Sequence, residues 1–131
     1  MARRDSGWTL IELLVVITLV MILATLALTQ YRGSILAAKE AALKSDLFLM
    51  RDAIDQYYAD KGRYPESLQT LVSESYLRAI PKDPFTNSAD TWQTVNAEPE
   101  PGMTSTTTGI YDVKSGAEGV ASDGSRYGDW Q

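Results

Sequence analysis

Gly7-Trp8-Thr9-Leu10-Ile11-Glu12-Leu13-Leu14-Val15-Val16-Ile17, with the apolar run that carries it on to about Tyr31, decides how this chain is read. From Trp8 to Tyr31 there are 24 residues with one formal charge, Glu12, and neither glycine nor proline. At about 1.5 Å of rise per residue such a helix is about 36 Å long, enough to cross the ~30 Å hydrocarbon core of a bilayer. The stretch therefore predicts a membrane-spanning segment rather than a buried core helix. Glu12 is the anomaly within it. A carboxylate at this depth costs on the order of 3 kcal/mol and needs either interfacial water near the helix end or a charged partner.

Working outward, the flank favours a partner. Arg3 and Arg4 precede Ser6-Gly7 and the aromatic Trp8. Basic leader, glycine, apolar first residue and an acid five places on together resemble the prepilin signature of type IV pilins and type II secretion pseudopilins. The resemblance implies cutting after Gly7 by a membrane prepilin peptidase on the cytoplasmic side, N-methylation of the new amino group on Trp8, and filament assembly in which Glu12 pairs with the terminal amine of a neighbouring subunit. The pairing is physically sensible, since two charges too costly to leave alone in lipid become tolerable together and fix axial register. Trp8 stands where the family usually has phenylalanine and keeps the aromatic character. The family's mid-membrane proline is missing, with Thr29 in its place, and a threonine bends a helix only weakly.

A secretory signal peptide is the competing reading of the leader. The apolar run exceeds the usual ~7–15-residue core of such a signal, and no small-residue cleavage site follows it. With Arg3 and Arg4 held inside, the positive-inside rule places the residues after about Arg32 outside the cytoplasm.

The chain of 131 residues suits one small domain plus its anchor. It has no cysteine, hence no disulfide framework, and no histidine. No nucleophile–base or paired-acid arrangement points to catalysis, so the chain is read as no enzyme. The formal net charge is −5 and becomes −6 once Met1 to Gly7 is removed. From Pro84 onward two basic residues face seven acidic ones, a balance that repels phosphates and disfavours nucleic acid as a partner.

Beyond the apolar run, Leu36, Leu43, Leu47, Met50, Ile54 and Tyr57 recur at helical spacing, so one helix is expected to continue to Tyr58, 51 residues in all. The stripe is read as packing on the chain's own sheet rather than as a separate coiled coil, with Lys39, Glu40, Lys44, Arg51, Asp52 and Asp55 on the other sides. Gly62 suits the left-handed position that ends it. Pro65 and Glu66 are read as the first turn of a short helix reaching about Val72, and Tyr76 to Phe85, broken by two prolines, as an irregular ordered loop. Thr91–Val95 and Gly109–Val113 read as paired strands with a turn at Glu98–Gly102, and Thr104 to Thr108 as frayed strand or loop. The last stretch, Lys114 to Gln131, is glycine-rich, yet Tyr127 and Trp130 require part of it to fold back.

Gly62-Arg63-Tyr64-Pro65 and Ile80-Pro81-Lys82-Asp83-Pro84-Phe85 add a second resemblance, to the major pseudopilins of type II secretion. With the N-terminal match it covers residues 1 to about 87 well and the rest loosely. The sequence thus predicts an α+β, type IV pilin-like fold: leader 1–7, transmembrane and assembly helix 8–33, periplasmic domain 34–131 with a small antiparallel sheet and an irregular C-terminal loop. The resemblance implies a structural subunit of a homo-oligomeric pseudopilus that drives protein export across the outer membrane. It implies a single pass through the bacterial inner membrane, and as partners the prepilin peptidase, the secretion assembly platform and the minor pseudopilins. A type IV pilus subunit and a monomeric single-span binding protein are the alternatives.

One metal is expected. Asp112, Glu118, Asp123 and Asp129 supply hard oxygens, and the glycines let carbonyls turn inward to complete the six to eight oxygens that calcium prefers. The major pseudopilins bind calcium in this loop, and matched by order their acidic ligands fall on Glu118 and Asp123. The spacing departs from the family pattern, with Ser125-Arg126 where further acids often stand. A solvated acidic loop is the plain alternative.

Overall fold

The computed structural model describes residues 9–99, 101–102 and 108–131. Its first element, α1, runs Leu10–Lys61 without interruption through Thr29 and Gly33. The backbone divides into two compact units, Met1–Leu36 and Ala37–Gln131.

Within the first unit every described side chain is exposed, including Leu10, Ile11, Met21 and Leu23. An apolar face on all sides is what lipid or neighbouring helices require, and this is the one helix among the described residues long and apolar enough to cross a membrane. Its hydroxyls find partners within the helix: Thr18, Thr25 and Thr29 donate to the carbonyls of Leu14, Met21 and Thr25 at 2.8, 2.8 and 3.1 Å. Bonding four residues back leaves no side-chain donor unpaired at these positions in a medium without water.

The second unit holds the core. Leu43, Leu47, Met50, Ala53, Ile54 and Tyr57 from α1 meet Leu68 and Leu71 of α2 (Leu68–Ser73), Leu77, Trp92, Ile110 and Val113, and from the C-terminal segment Ala121, Tyr127 and Trp130. The expected stripe is present from Leu43 onward; Leu36 is exposed. Glu40, expected on the solvent side, is instead buried. The spacing explains the difference, because Glu40 lies in the gap between Leu36 and Leu43 and so belongs to the same face.

Gly62 ends α1 as expected, with φ +69° and its N–H on the Tyr58 carbonyl at 2.8 Å. Helix α2 begins later than Pro65. Ser67 caps it, its hydroxyl accepting from the Thr70 N–H at 3.3 Å. Pro65 is buried, and its carbonyl accepts from Ile110 N–H at 2.8 Å, so it serves the link to the sheet.

Strands β1 (Gln93–Asn96) and β2 (Ile110–Lys114) form a two-stranded antiparallel sheet, with a bulge between Val95 and Asn96. Each begins one or two residues later than expected. Thr91 and Trp92 are taken by the preceding loop, through Thr86 and the Pro81 carbonyl. Of the expected turn and frayed segment, Glu100 and 104–107 lie outside the described residues.

That preceding loop is organised by Asp83, which is fully buried. One carboxylate oxygen accepts the N–H groups of Phe85 and Thr86 at 2.9 and 3.4 Å, and the other accepts the hydroxyl of buried Ser115. The Asp83 backbone also closes the loop, its N–H on the Ser88 carbonyl at 3.0 Å and its carbonyl accepting from Asn87 N–H at 2.7 Å, so the side chain adds to the few backbone bonds a proline-punctuated loop can make.

Candidate functional site

Two places carry the chemistry anticipated from the sequence: the start of α1 and the C-terminal segment.

Gly7 and Trp8 lie outside the described residues. Thr9 caps α1, its hydroxyl accepting from the Glu12 N–H at 3.3 Å, while its carbonyl accepts from Leu13 at 3.2 Å. Thr9-Leu10-Ile11-Glu12 is therefore a Thr-x-x-Glu helix start, with the acid at the third helical position. A carboxylate in the first turn also lies at the positive end of the helix dipole. Glu12 is exposed.

In the C-terminal segment the chain folds back on itself and on α1. Ala121 N–H bonds Ser125 O at 2.7 Å, Gly124 N–H bonds Ala121 O at 3.0 Å, and Val120 pairs with Arg126, closing a small loop. A short 3₁₀ turn at Tyr127–Asp129 then places Tyr127 and Trp130 in the core. Phe85 stacks on Tyr127, with ring centres 4.1 Å apart.

Three charged side chains of α1 hold this segment. Glu40 accepts from Ser122 N–H at 2.8 Å and from Ser122 Oγ at 2.6 Å, and the Tyr127 hydroxyl reaches it at 3.1 Å. Lys44 Nζ stands 4.7 Å from the centre of the Trp130 ring. Arg51 donates to Asp112 Oδ1 at 2.7 Å and to the carbonyls of Val113 and Trp130 at 2.9 and 2.7 Å, joining β2 to the end of the chain. The donors of Ser122 hold the Glu40 carboxyl below the usual range, while burial and then Glu40 push the Tyr127 hydroxyl up. Burial, with Asp83 nearby, raises the Asp46 carboxyl.

Glu118 and Asp123 are both exposed. Asp123 Oδ1 accepts from Ser125 N–H at 2.9 Å and Ser125 Oγ at 2.5 Å, which holds its carboxyl below the usual range, hydroxyl first. Asp112 is taken by Arg51. Among the described residues no three acidic side chains gather closely enough to hold a metal through carboxylates alone. The oxygen donors are of the hard type calcium takes, but two carboxylates would need backbone carbonyls to complete the shell.

Sequence reasoning missed Glu40, Arg51 and Asp83 as organising residues. For Glu40 a signal existed, the vacant place in the apolar stripe. Asp83 stands in the Ile80–Phe85 stretch that carries the second resemblance, but its burial had no local signal, since its partner Ser115 is 32 residues away.

An apolar helix with an acid in its first turn, running into a small α+β domain, is the build of a type IV pilin-like protein. A family model described as "Prokaryotic N-terminal methylation motif" matches residues 2–28. The chain is 33% identical over 101 residues to the type II secretion system core protein G of Aeromonas hydrophila, covering 65% of this chain and 71% of that protein. The core protein G of Klebsiella pneumoniae is 33% identical over 99 residues, 63% of this chain and 71% of the relative. That of Pseudomonas aeruginosa is 33% identical over 101 residues, 65% and 71%. No solved structure matches. This chain belongs to the core protein G family, the major pseudopilins of type II secretion, and is a structural subunit of a pseudopilus.

Proposed function

We propose that this subunit is made as a precursor, cut between Gly7 and Trp8, methylated on Trp8, and assembled through Glu12 into a helical filament that pushes secreted proteins outward. In this reading the prepilin peptidase, the secretion assembly platform and the minor pseudopilins are its partners. The first helix stays in the inner membrane until assembly, and the domain from about Ser34 lies in the periplasm. The observation that carries it is the exposure of every side chain of the apolar run from Leu10 to Leu28 around a single first-turn acid. Such a surface needs lipid or sister helices, and the acid needs a cation.

The test is the mass of the membrane-extracted protein from a host with the peptidase. Loss of Met1 to Gly7, with one methyl group added, is expected, and Gly7→Leu should accumulate precursor. A product that keeps its leader overturns the reading.

We further propose that Glu118 and Asp123 hold calcium with backbone carbonyls of the same loop. Asp123 favours it, because its carboxyl stays ionised and both its described bonds fall on one oxygen, Oδ1. Melting the protein with calcium and then with chelator decides the matter. A calcium-dependent rise lost in Asp123→Ala supports the site, and equal midpoints reject it.

A further inference from the structure

Glu40 is the one acidic side chain of α1 that is buried, at 9% exposure. A buried carboxylate is ordinarily tolerated when a cation or a full set of donors meets it. Here the donors are all neutral: the backbone N–H and hydroxyl of Ser122, and the hydroxyl of Tyr127. Ser122 uses both of its donors on one carboxylate, a two-point grip that fixes the loop's orientation as well as its position. Four and eleven residues further along α1, Lys44 and Arg51 take the Trp130 ring and the Trp130 carbonyl.

The chemistry of this grip is opposite to that of a cation site. A bound cation gathers carboxylates and carbonyl oxygens inward. In this protein an anion on the helix gathers N–H and O–H groups inward, and the loop acids Glu118 and Asp123 are left exposed. The loop also closes through its own backbone bonds, Ala121 to Ser125 and Gly124 to Ala121.

We infer that Glu40 is the anchor of the C-terminal segment and fastens residues 119–130 to α1 without any bound metal. This inference stands apart from the filament and calcium readings and survives the failure of either.

The experiment uses the full chain in detergent with chelator present. Trypsin cutting after Arg126 reports opening of the loop, and exchange of the amide of Ile54, fully buried within α1, reports the global fold. Wild type is expected to resist cutting at Arg126 in chelator. Ser122→Ala should raise the cutting rate several-fold and Glu40→Ala by about tenfold, with Ile54 protection kept. Glu40→Gln, which retains one acceptor oxygen, should fall between wild type and Glu40→Ala. Should Glu40→Ala lose Ile54 protection, the milder Ser122→Ala decides. Cutting rates equal to wild type in Ser122→Ala and Glu40→Gln overturn the inference. So does a wild-type loop that opens freely in chelator and closes only with calcium, an outcome that would support the calcium reading instead.

Discussion

At the scale of single residues, the domain depends on polar groups that each satisfy several others. Ser115 is 1% exposed, donates to Asp83 and accepts from Ala117 N–H at 3.1 Å. Ser115→Ala would leave a buried carboxylate oxygen and a backbone donor without this partner, so denaturant unfolding should show a loss of about 1–3 kcal/mol. An unchanged midpoint would show that water replaces the hydroxyl. Tyr76 offers a pH-dependent test. Its hydroxyl donates to Asp60 at 2.8 Å, and that bond, followed by burial, holds its pKa up at about 12. Because the folded state raises this pKa, the stability Tyr76 contributes is fully present below the ordinary tyrosine value and is lost as pH rises from there through about 12. Tyr127 is shifted in the same direction, so Tyr76→Phe should reduce the alkaline decline in stability without abolishing it. A decline of the same steepness in the variant would remove Tyr76 from the explanation.

Among the elements, α1 was the most legible in sequence and also the place where reading failed most instructively. Its apolar run, the stripe from Leu43 to Tyr57 and the stop at Gly62 follow from periodicity and backbone preference, which are local properties. Glu40 falls on the apolar stripe by its spacing, yet its charge reads as solvent-facing until its partner is known, and Ser122 lies 82 residues away. The same limit applies to the ends of β1, where Thr91 and Trp92 carry strand-forming side chains but bond to the preceding loop. The retreat of α2 from Pro65 to the Ser67 cap has the same origin, since Ile110 claims the Pro65 carbonyl. Leu43 tests the helix's packing role. It is fully buried where α1 enters the core, so Leu43→Ala should cost about 2–5 kcal/mol in denaturant unfolding. The substitution should leave membrane insertion unchanged, because the apolar run lies before it. A cost under about 1 kcal/mol would mean that this face is only loosely packed.

For the whole molecule, the division into Met1–Leu36 and Ala37–Gln131 separates what an assembled subunit needs from what a folded domain needs. The buried core residues all belong to the second unit, whereas Glu12 and the exposed apolar positions from Leu10 to Leu36 belong to the first. Substitutions that share no partner add almost independently. Glu12 bonds only locally among the described residues, through its own N–H to Thr9, and a substitution keeps that backbone donor. Glu12→Ala is therefore expected to leave the stability of the domain in detergent, followed by thermal unfolding, within about 0.5 kcal/mol of wild type. It should also insert at least as well, since it removes a charge from the bilayer. On the proposed pairing, filaments imaged after overexpression should nevertheless be lost, because the neighbour's amine would be left buried without its counter-charge, and breaking a buried pair costs about 3–5 kcal/mol at each subunit junction. Glu12→Gln sharpens the test: it retains the shape and a hydrogen-bond acceptor but not the charge, so a requirement for charge predicts that it fails as Ala does. Normal filaments from both variants would make Glu12 simply the acid of a Thr-x-x-Glu helix start, and a variant that melts early would place its role in folding instead.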